Sequence, residues 1–190
     1  MKLVLVVGAA TPTGRLNRAV EHLAASLARH AGVETETIAL SARRLELCDG
    51  RKLEDYDEAT RTAIAAISGA DGVVLAAPVY RASFPGVLKN LLDLLPVEAL
   101  RDKPVAVIAM GASPHHYLGV DAHLRLVLAW FGAVTLPNSA YLTGRDFTEG
   151  RLAAESAIAD LDALGDALVA FTAALKGKSF GPVPLAARFT

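Results

Sequence analysis

The sequence predicts an α/β fold built on a parallel sheet of five strands. Three apolar runs carry that prediction: Leu3–Val7, Val73–Ala77 and Pro104–Met110. None of them alternates with polar residues, which is typical of parallel strands covered by helices on both faces. Longer segments with apolar residues at helical spacing lie between the runs. Strands and helices therefore alternate along the chain, which predicts a parallel sheet with right-handed crossovers.

The first half of the chain supplies three strands and three helices. The helix after strand one carries Val20, Leu23 and Leu27 on one face. Pro78 ends strand three, and we expect Ser83 to cap the next helix, with Pro85 in its first turn. The predicted elements are strand 3–7, helix 17–30, strand 33–40, an irregular segment 41–55 with a helical turn, helix 58–68, strand 72–77 and helix 85–95.

The second half supplies two further strands and two helices, followed by a tail. Pro137 and Asn138 mark strand five as irregularly paired or as an edge strand. The predicted elements are strand 104–110, helix 120–131, strand 133–140 and helix 149–175. No shift in composition indicates a second domain, so we expect one domain, 1–176. The tail 177–190 holds two prolines and two glycines, and we expect it to be disordered or packed on a partner subunit.

Composition and charge narrow the range of possible functions. The formal net charge is −1, so no basic face for nucleic acid is implied. The single cysteine, Cys48, excludes an intrachain disulfide and a cysteine-rich zinc site. The apolar run after Lys2 is too short for a signal peptide, and no stretch approaches membrane-spanning length. We therefore expect a cytoplasmic protein without a membrane partner.

The loop of residues 8–17, between strand one and its helix, is suited to binding a phosphate. A helix amino terminus has unpaired N–H groups and a dipole that favours an anion. Thr11 and Thr13 supply hydroxyl donors, Arg15 adds charge, and Asn17 can cap the helix. The same residues also fit an ordinary turn with a capped helix, because the glycines lack the strict spacing of a nucleotide fingerprint.

A short elbow, Pro78–Arg81, follows strand three at the carboxyl end of the predicted sheet. Ligands bind at this edge in open α/β sheets. Tyr80 offers a flat aromatic face there, and Arg81 offers a charge. A half-buried structural tyrosine is the alternative interpretation of Tyr80.

A longer motif surrounds the elbow and carries a family resemblance. It comprises Pro78-Val79-Tyr80, Gly86 and the run Leu88–Asp93, and it continues through Leu94-Leu95-Pro96, Gly111-Ala112-Ser113 and Leu118–Asp121. These segments resemble the NAD(P)H-dependent FMN reductases of flavodoxin-like fold, and the likeness spans most of residues 1–140. Within that family the chain looks most like the reductases of two-component monooxygenases, including the alkanesulfonate type.

The resemblance implies a three-layer α/β/α sandwich with strand order 2-1-3-4-5. It also implies hydride transfer from NADPH or NADH to FMN, with no catalytic side chain and no metal, because the cofactors carry the chemistry. The flavin would lie on the loops after strands one, three and four. The implied cofactor-binding residues are Gly8, Thr11, Thr13, Gly14, Arg15, Leu16, Asn17, Pro78, Val79, Tyr80, Arg81, Ser83, Gly111, Ala112 and Ser113.

The first loop departs from the family pattern, which usually begins Gly-Ser-x-Arg. Gly8 and Asn17 match, but Ala9 and Thr11 stand where the family has Ser and Arg. The family also implies a homodimer or homotetramer. In its monooxygenase-supplying members a π-helical bulge lies at the tetramer interface, and His123 is the candidate position for it here.

Three functions share these motifs. Reduced FMN could leave for a partner monooxygenase, or tightly bound FMN could reduce quinones, azo compounds or metal ions. A flavin-binding electron carrier or regulatory module without turnover is the third. A doubly wound domain that has lost its ligand is a further interpretation, because the phosphate loop departs from the family pattern. The chain lacks the strong acidity by which carriers steer toward their partners, which favours an enzyme.

Overall fold

In this computed structural model the central sheet is parallel. The structure describes residues 1–12, 14–184 and 188. Its strands are β1 (Lys2–Val7), β2 (Glu34–Ala39), β3 (Gly72–Pro78), β4 (Pro104–Met110), β5 (Val134–Thr135) and β6 (Ala140–Leu142). Their order is β2-β1-β3-β4, and both β5 and β6 pair with the outer side of β4. This confirms the predicted order 2-1-3-4-5.

Five α-helices of the described residues cover the two faces of the sheet. They are α1 (Arg15–Leu27), α2 (Glu58–Ser68), α3 (Gly86–Leu94), α4 (Leu118–Phe131) and α5 (Glu155–Leu175). Successive residues of β1 enter opposite cores: Leu3 and Leu5 pack with α1 and α5, whereas Val4 and Val6 pack with α2, α3 and α4. The three-layer sandwich follows from this alternation of side chains.

The predicted fifth strand, 133–140, is interrupted in the structure. Leu136 still donates its N–H to the carbonyl of Val105 at 2.9 Å, but pairing then stops until Ala140. Pro137 has no N–H to donate, and Pro137 and Asn138 are exposed. The irregular pairing that the sequence predicted therefore takes the form of two short strands.

The predicted start of the last helix at Glu149 is wrong. A small antiparallel hairpin precedes it, formed by β7 (Phe147–Thr148) and β8 (Arg151–Leu152). Glu149 and Gly150 form its turn with φ of 49° and 77°, the left-handed values that two-residue hairpin turns require. Helix α5 begins only at Glu155.

Two further helix predictions need correction. Helix α3 has Pro85 at its N-cap and no side-chain cap, so Ser83 does not cap it. Helix α4 begins at Leu118, two residues before the predicted start, and is α-helical to Phe131. The π-helical bulge implied near His123 is therefore absent from this part of the described chain.

The described part of the tail packs on its own chain. The Ser179 hydroxyl and the Phe180 N–H donate to the carboxylate of Asp102, at 2.8 and 3.1 Å. Pro184 lies against Gly132 at the end of α4. The residues 185–187 and 189–190 of the predicted tail lie outside the described residues. Among the residues described, no helix combines the length and apolarity needed to cross a bilayer.

Candidate functional site

Backbone hydrogen bonds set three loops side by side at the carboxyl edge of the sheet. The N–H of Gly8 donates to the carbonyl of Ala76 at 2.7 Å, which ties the loop after β1 to β3. The N–H of Val79 donates to the carbonyl of Met110 at 2.8 Å, and the N–H of Gly111 donates to the carbonyl of Leu142 at 2.9 Å. The loops after β1, β3 and β4 that the sequence singled out are therefore neighbours.

The amino terminus of α1 is one part of this edge. Gly14 is the N-cap in an extended conformation, and its N–H donates to Oδ1 of Asn17 at 3.4 Å. The N–H groups of the helix's first turn, residues 15–17, have no carbonyl within the helix to bond. Leu16 is buried in the core, so only its backbone can reach a ligand. The edge therefore offers a set of donors suited to a phosphate.

Arg15 and Thr11 are exposed next to these donors, whereas Gly8 is buried. A Cβ at Gly8 would lie 3.0 Å from Cβ of Leu88, so glycine lets α3 pack closely under the loop. The predicted hydroxyl donor Thr13 lies outside the described residues.

A turn that the sequence did not single out completes this corner. It is the turn of residues 143–146, where Thr143 donates its N–H and hydroxyl to the carboxylate of Asp146 at 2.6 and 3.1 Å. A Cβ at Gly144 would lie 3.0 Å from Nη1 of Arg15. Glycine thus gives the Arg15 guanidinium room beside the phosphate donors. The Thr-x-x-Asp capping pattern was the signal for this turn.

The elbow after β3 is a tight turn. Tyr80 and Ser83 exchange both backbone hydrogen bonds, at 2.7 and 3.0 Å. Arg81 and Ala82 between them have φ of 50° and 62°. Because Val79 and Tyr80 already use their N–H groups, Arg81 and Ala82 at the tip are the elbow's backbone donors for a ligand. The Tyr80 side chain is 45% exposed, so its aromatic face is available.

Tyr141 fixes the loop after β4. Its hydroxyl donates to the carbonyl of Ser113 at 2.7 Å, and its ring meets Tyr117 edge-on at 6.5 Å. A Cβ at Gly111 would lie 1.9 Å from that hydroxyl, so only glycine fits there. Burial raises the pKa of the Tyr141 phenol. Sequence reasoning missed Tyr141, because no local pattern marks it.

The elbow and the loop after β4 also touch each other. A Cβ at Gly119, in the first turn of α4, would lie 3.3 Å from the carbonyl oxygen of Ala82. A Cβ at Gly111 would lie 3.4 Å from Cγ2 of Val79. Gly111 and Ser113 are half-buried, and Ala112 is exposed. The half-buried Pro78 and Ser83 flank the elbow.

This edge combines phosphate donors, a cation and an exposed aromatic ring, the set that a flavin mononucleotide needs at its two ends. The residues present fit that group: the unpaired N–H groups and Arg15 suit its phosphate, and Tyr80 with the glycine-lined loop suits its flat ring. No group of three or more His, Cys, Asp or Glu suited to a metal occurs among the described residues.

The fold and this edge define a doubly wound domain of the kind that binds nucleotides beyond the ends of its strands. The model of a family described as NADPH-dependent FMN reductase matches residues 1–148. The chain is 35% identical over 155 residues to the NADH-dependent FMN reductase SfnF of Pseudomonas fluorescens, covering 82% of this chain and 83% of the relative. It is 43% identical over 89 residues to FMN reductase (NADPH) of Pseudomonas aeruginosa, covering 47% and 48%.

A solved structure agrees. The apo form of the NADH:FMN oxidoreductase EMOB superposes with a TM-score of 0.75 at 28% identity, covering 93% of this chain and 91% of that one. The chain therefore belongs to the NADPH-dependent FMN reductase family. It is an oxidoreductase whose cofactors are FMN and a reduced nicotinamide dinucleotide.

Proposed function

We propose that this chain passes hydride from NADPH or NADH to FMN bound at the carboxyl edge of the sheet, and releases reduced FMN to a partner monooxygenase. One observation carries the proposal: the first-turn N–H groups of α1, which have no carbonyl partner within the helix, the Arg15 guanidinium and the exposed Tyr80 ring lie on the same edge. When both cofactors are bound, the nicotinamide supplies the hydride and the flavin accepts it.

The protein's part is binding and orientation. The N–H groups of residues 15–17 hold the FMN phosphate, and Arg15 offsets its charge. The tip of the elbow, with Arg81 and Ala82, donates to the polar edge of the ring, and Tyr80 packs beside it. Tyr141 holds Ser113 in place, so that the loop backbone at Gly111 and Ala112 stays close to the ring.

Exposure supports the release of flavin. Thr11, Arg15, Tyr80, Arg81 and Ala112 are all exposed, so the proposed site opens to solvent within the described chain. An open site lets FMN exchange between turnovers, as a flavin that serves as substrate must. One relative is named as NADH-dependent and another as an FMN reductase (NADPH), so both dinucleotides are candidate hydride donors here.

Anaerobic turnover tests the proposal. Purified protein is mixed with NADPH or NADH and FMN in large excess, and the visible flavin absorbance is followed. We expect bleaching far beyond a single flavin per subunit. Bleaching that stops at one equivalent would indicate a tightly bound cofactor serving a quinone, azo or metal acceptor. Absence of bleaching with either dinucleotide would overturn the enzymatic proposal.

We further propose that α3 and α4 form a contact between copies of this chain. Lys89, Leu92, Asp93, Leu95, Leu126, Val127, Trp130 and Phe131 line a groove of about 420 Å³ there. Leu126 and Trp130 are 73% and 53% exposed. At its edge the Lys89 Nζ lies 2.6 Å from Oδ1 of Asp93, so the patch carries one charge of each sign. Such a patch can pair with itself across a two-fold axis.

A further inference from the structure

A small groove lies between the segment of residues 40–47, which follows β2, and the first turn of α3. It encloses about 260 Å³, which suits a ligand smaller than a typical drug molecule. The N–H of Leu40 donates to the Val7 carbonyl at 3.0 Å, so this segment starts at the carboxyl edge of the sheet. None of the residues lining the groove belongs to the proposed flavin site.

Arg43 marks this groove as a binding site. Its Nη1 is buried and has no hydrogen-bond partner, and no other side-chain nitrogen or oxygen in the described part of the chain is in this position. The side chain as a whole is half-buried and lines the groove. A buried donor without an acceptor destabilises a fold, and native structures contain few of them. An anion bound in the groove would supply the missing acceptor.

The carboxylates that follow Arg43 in the sequence already have other partners. Oε1 of Glu46 accepts from Nη2 of Arg51 at 3.2 Å, and Oε2 of Glu46 accepts from the N–H of Asp57 at 2.6 Å. Oδ1 of Asp49 accepts from Nε of Arg51 at 3.1 Å. The charge of Arg43 is therefore not neutralised by its own segment.

The opposite wall of the groove also favours an anion. Gly86 and Val87 are the first residues of α3, whose N-cap, Pro85, provides no side-chain cap. Their N–H groups have no carbonyl within the helix to bond, and the helix dipole is positive at this end. A Cβ at Gly86 would meet nothing within 4 Å, so the space beside it is open.

The other walls are apolar and held in place. Leu45 is half-buried, and Leu47 is 75% exposed. The Asn90 side chain fixes their segment, because it accepts from the Cys48 N–H at 2.8 Å and donates to the Glu46 carbonyl at 2.9 Å. A preformed apolar groove with a cation in its lining fits an anion that carries an apolar body. Inorganic phosphate would leave the apolar walls in water.

We propose that this groove binds a small organic carboxylate, with its charged group on Arg43 and its apolar body against Leu45 and Leu47. The site is separate from the flavin site, and the proposal does not depend on the flavin chemistry. Arg43 is the residue that selects an anion, and the leucines select a ligand with an apolar body.

Isothermal titration calorimetry with benzoate tests the proposal. Benzoate is the probe because it joins a carboxylate to a small apolar ring. Benzamide has the same shape without the charge, and inorganic phosphate has charge without an apolar body. We expect one benzoate to bind per subunit, and benzamide and phosphate to bind at least about tenfold more weakly, since each lacks one half of the interaction. Absence of benzoate binding, or equal binding of benzoate and benzamide, would overturn the proposal.

Arg43→Met and Arg44→Met form a matched pair of variants. Arg44 is the exposed neighbour of Arg43 and does not line the groove. Arg43→Met should weaken benzoate binding about tenfold, to the level of benzamide, because a charge-assisted hydrogen bond is lost. Arg44→Met should change it by less than about twofold. An equal loss in the two variants, or no loss in either, would contradict the role given to Arg43.

Urea unfolding without ligand separates this role from a structural one. Arg43→Met should unfold at the same urea concentration as the unsubstituted chain or at a higher one, because the substitution removes a buried donor that has no partner. A lower midpoint would mean that the Arg43 guanidinium stabilises the fold, and would overturn its assignment to a ligand.

Discussion

Gly111 and Tyr141 occupy one corner of the site. Each restricts which side chain can stand at the other position. The Tyr141 hydroxyl lies where a Cβ of residue 111 would be, 1.9 Å away, and the next nearest atom, Cζ of the same ring, lies at 3.0 Å. The hydroxyl in turn donates to the Ser113 carbonyl. The loop after β4 therefore depends on a pair of residues far apart in the sequence.

Substitution of this pair should be strongly non-additive. Gly111→Ala should lower the free energy of unfolding by about 2 kcal/mol, because the methyl group overlaps the hydroxyl. Tyr141→Phe should cost about 1 kcal/mol for the lost hydrogen bond. The double variant should be more stable than Gly111→Ala alone, since the overlapping oxygen is gone. Urea unfolding measures all three, and simple additivity would contradict the proposed overlap.

Arg15 should distinguish FMN from riboflavin, which lacks the phosphate. Arg15→Gln should raise the KM for FMN about tenfold, because a charge-assisted hydrogen bond is lost. The KM for riboflavin should not change. Equal effects on both flavins in steady-state assays would mean that Arg15 acts on the ring or on the fold. Gly144→Ala, which crowds the Arg15 guanidinium, should produce a weaker version of the same pattern.

Local pattern predicted part of this site. The α1 terminus and the Tyr80 elbow follow from a strand, a break and a helix, which are local features of the chain. Tyr141 lies in β6 and Gly144 in the turn that follows it, and they reach the site only through tertiary packing. No spacing in the sequence shows that Tyr141 lies against Gly111 or that Gly144 lies against Arg15.

At the scale of elements, Asp71 joins the starts of β1 and β3. The backbone N–H of Lys2 donates to its carboxylate at 2.7 Å, and the N–H of Asp71 donates to the Lys2 carbonyl at 2.8 Å. The Lys2 N–H and, to a lesser degree, the Lys176 ammonium hold the pKa of Asp71 below its ordinary value. The carboxylate thus stabilises the sheet when it is ionised.

Acid should remove the stabilisation that the Asp71 carboxylate provides. With a folded pKa below the unfolded one, the stabilisation is present above about pH 4 and is lost as the pH falls through the folded value. Asp71→Asn should lower the free energy of unfolding by about 0.5 kcal/mol at neutral pH, a small value because the carboxylate is partly solvated. The difference from the unsubstituted chain should vanish in acid.

Urea midpoints at neutral and acid pH measure this difference. Asp160→Asn is the control, because Asp160 is exposed on α5. A difference between the Asp71 variant and the unsubstituted chain that stays constant with pH would rule out the ionised carboxylate as its cause.

Elements with a strong local signal were predicted well. Helix α2 matches the predicted 58–68 because Asp57 caps it through the Thr60 N–H and Gly69 closes it. The prediction that the last helix starts at Glu149 was wrong, because the Ala-rich pattern did not reveal a Glu149-Gly150 turn in the left-handed region. The hairpin is held by tertiary packing against α1, which overrides local propensity.

At the scale of the whole molecule, the α3–α4 face is an exposed apolar feature that the proposed flavin site does not explain. Leu126→Glu should shift the protein toward the monomer, because a charge replaces an apolar side chain in the proposed contact between copies. Sedimentation or light scattering measures the shift. Leu47→Glu is the matched control, since Leu47 is 75% exposed but lies outside the groove. A monomeric unsubstituted protein would contradict the proposed contact.

The central claim is that FMN binds at the carboxyl edge, with its phosphate on α1. A crystal structure with FMN tests it most directly. We predict the phosphate within hydrogen-bonding distance of the backbone nitrogens of residues 15–17, with the ring between the Tyr80 elbow and the Gly111 loop. A flavin seated elsewhere, or a phosphate held away from α1, would contradict the account.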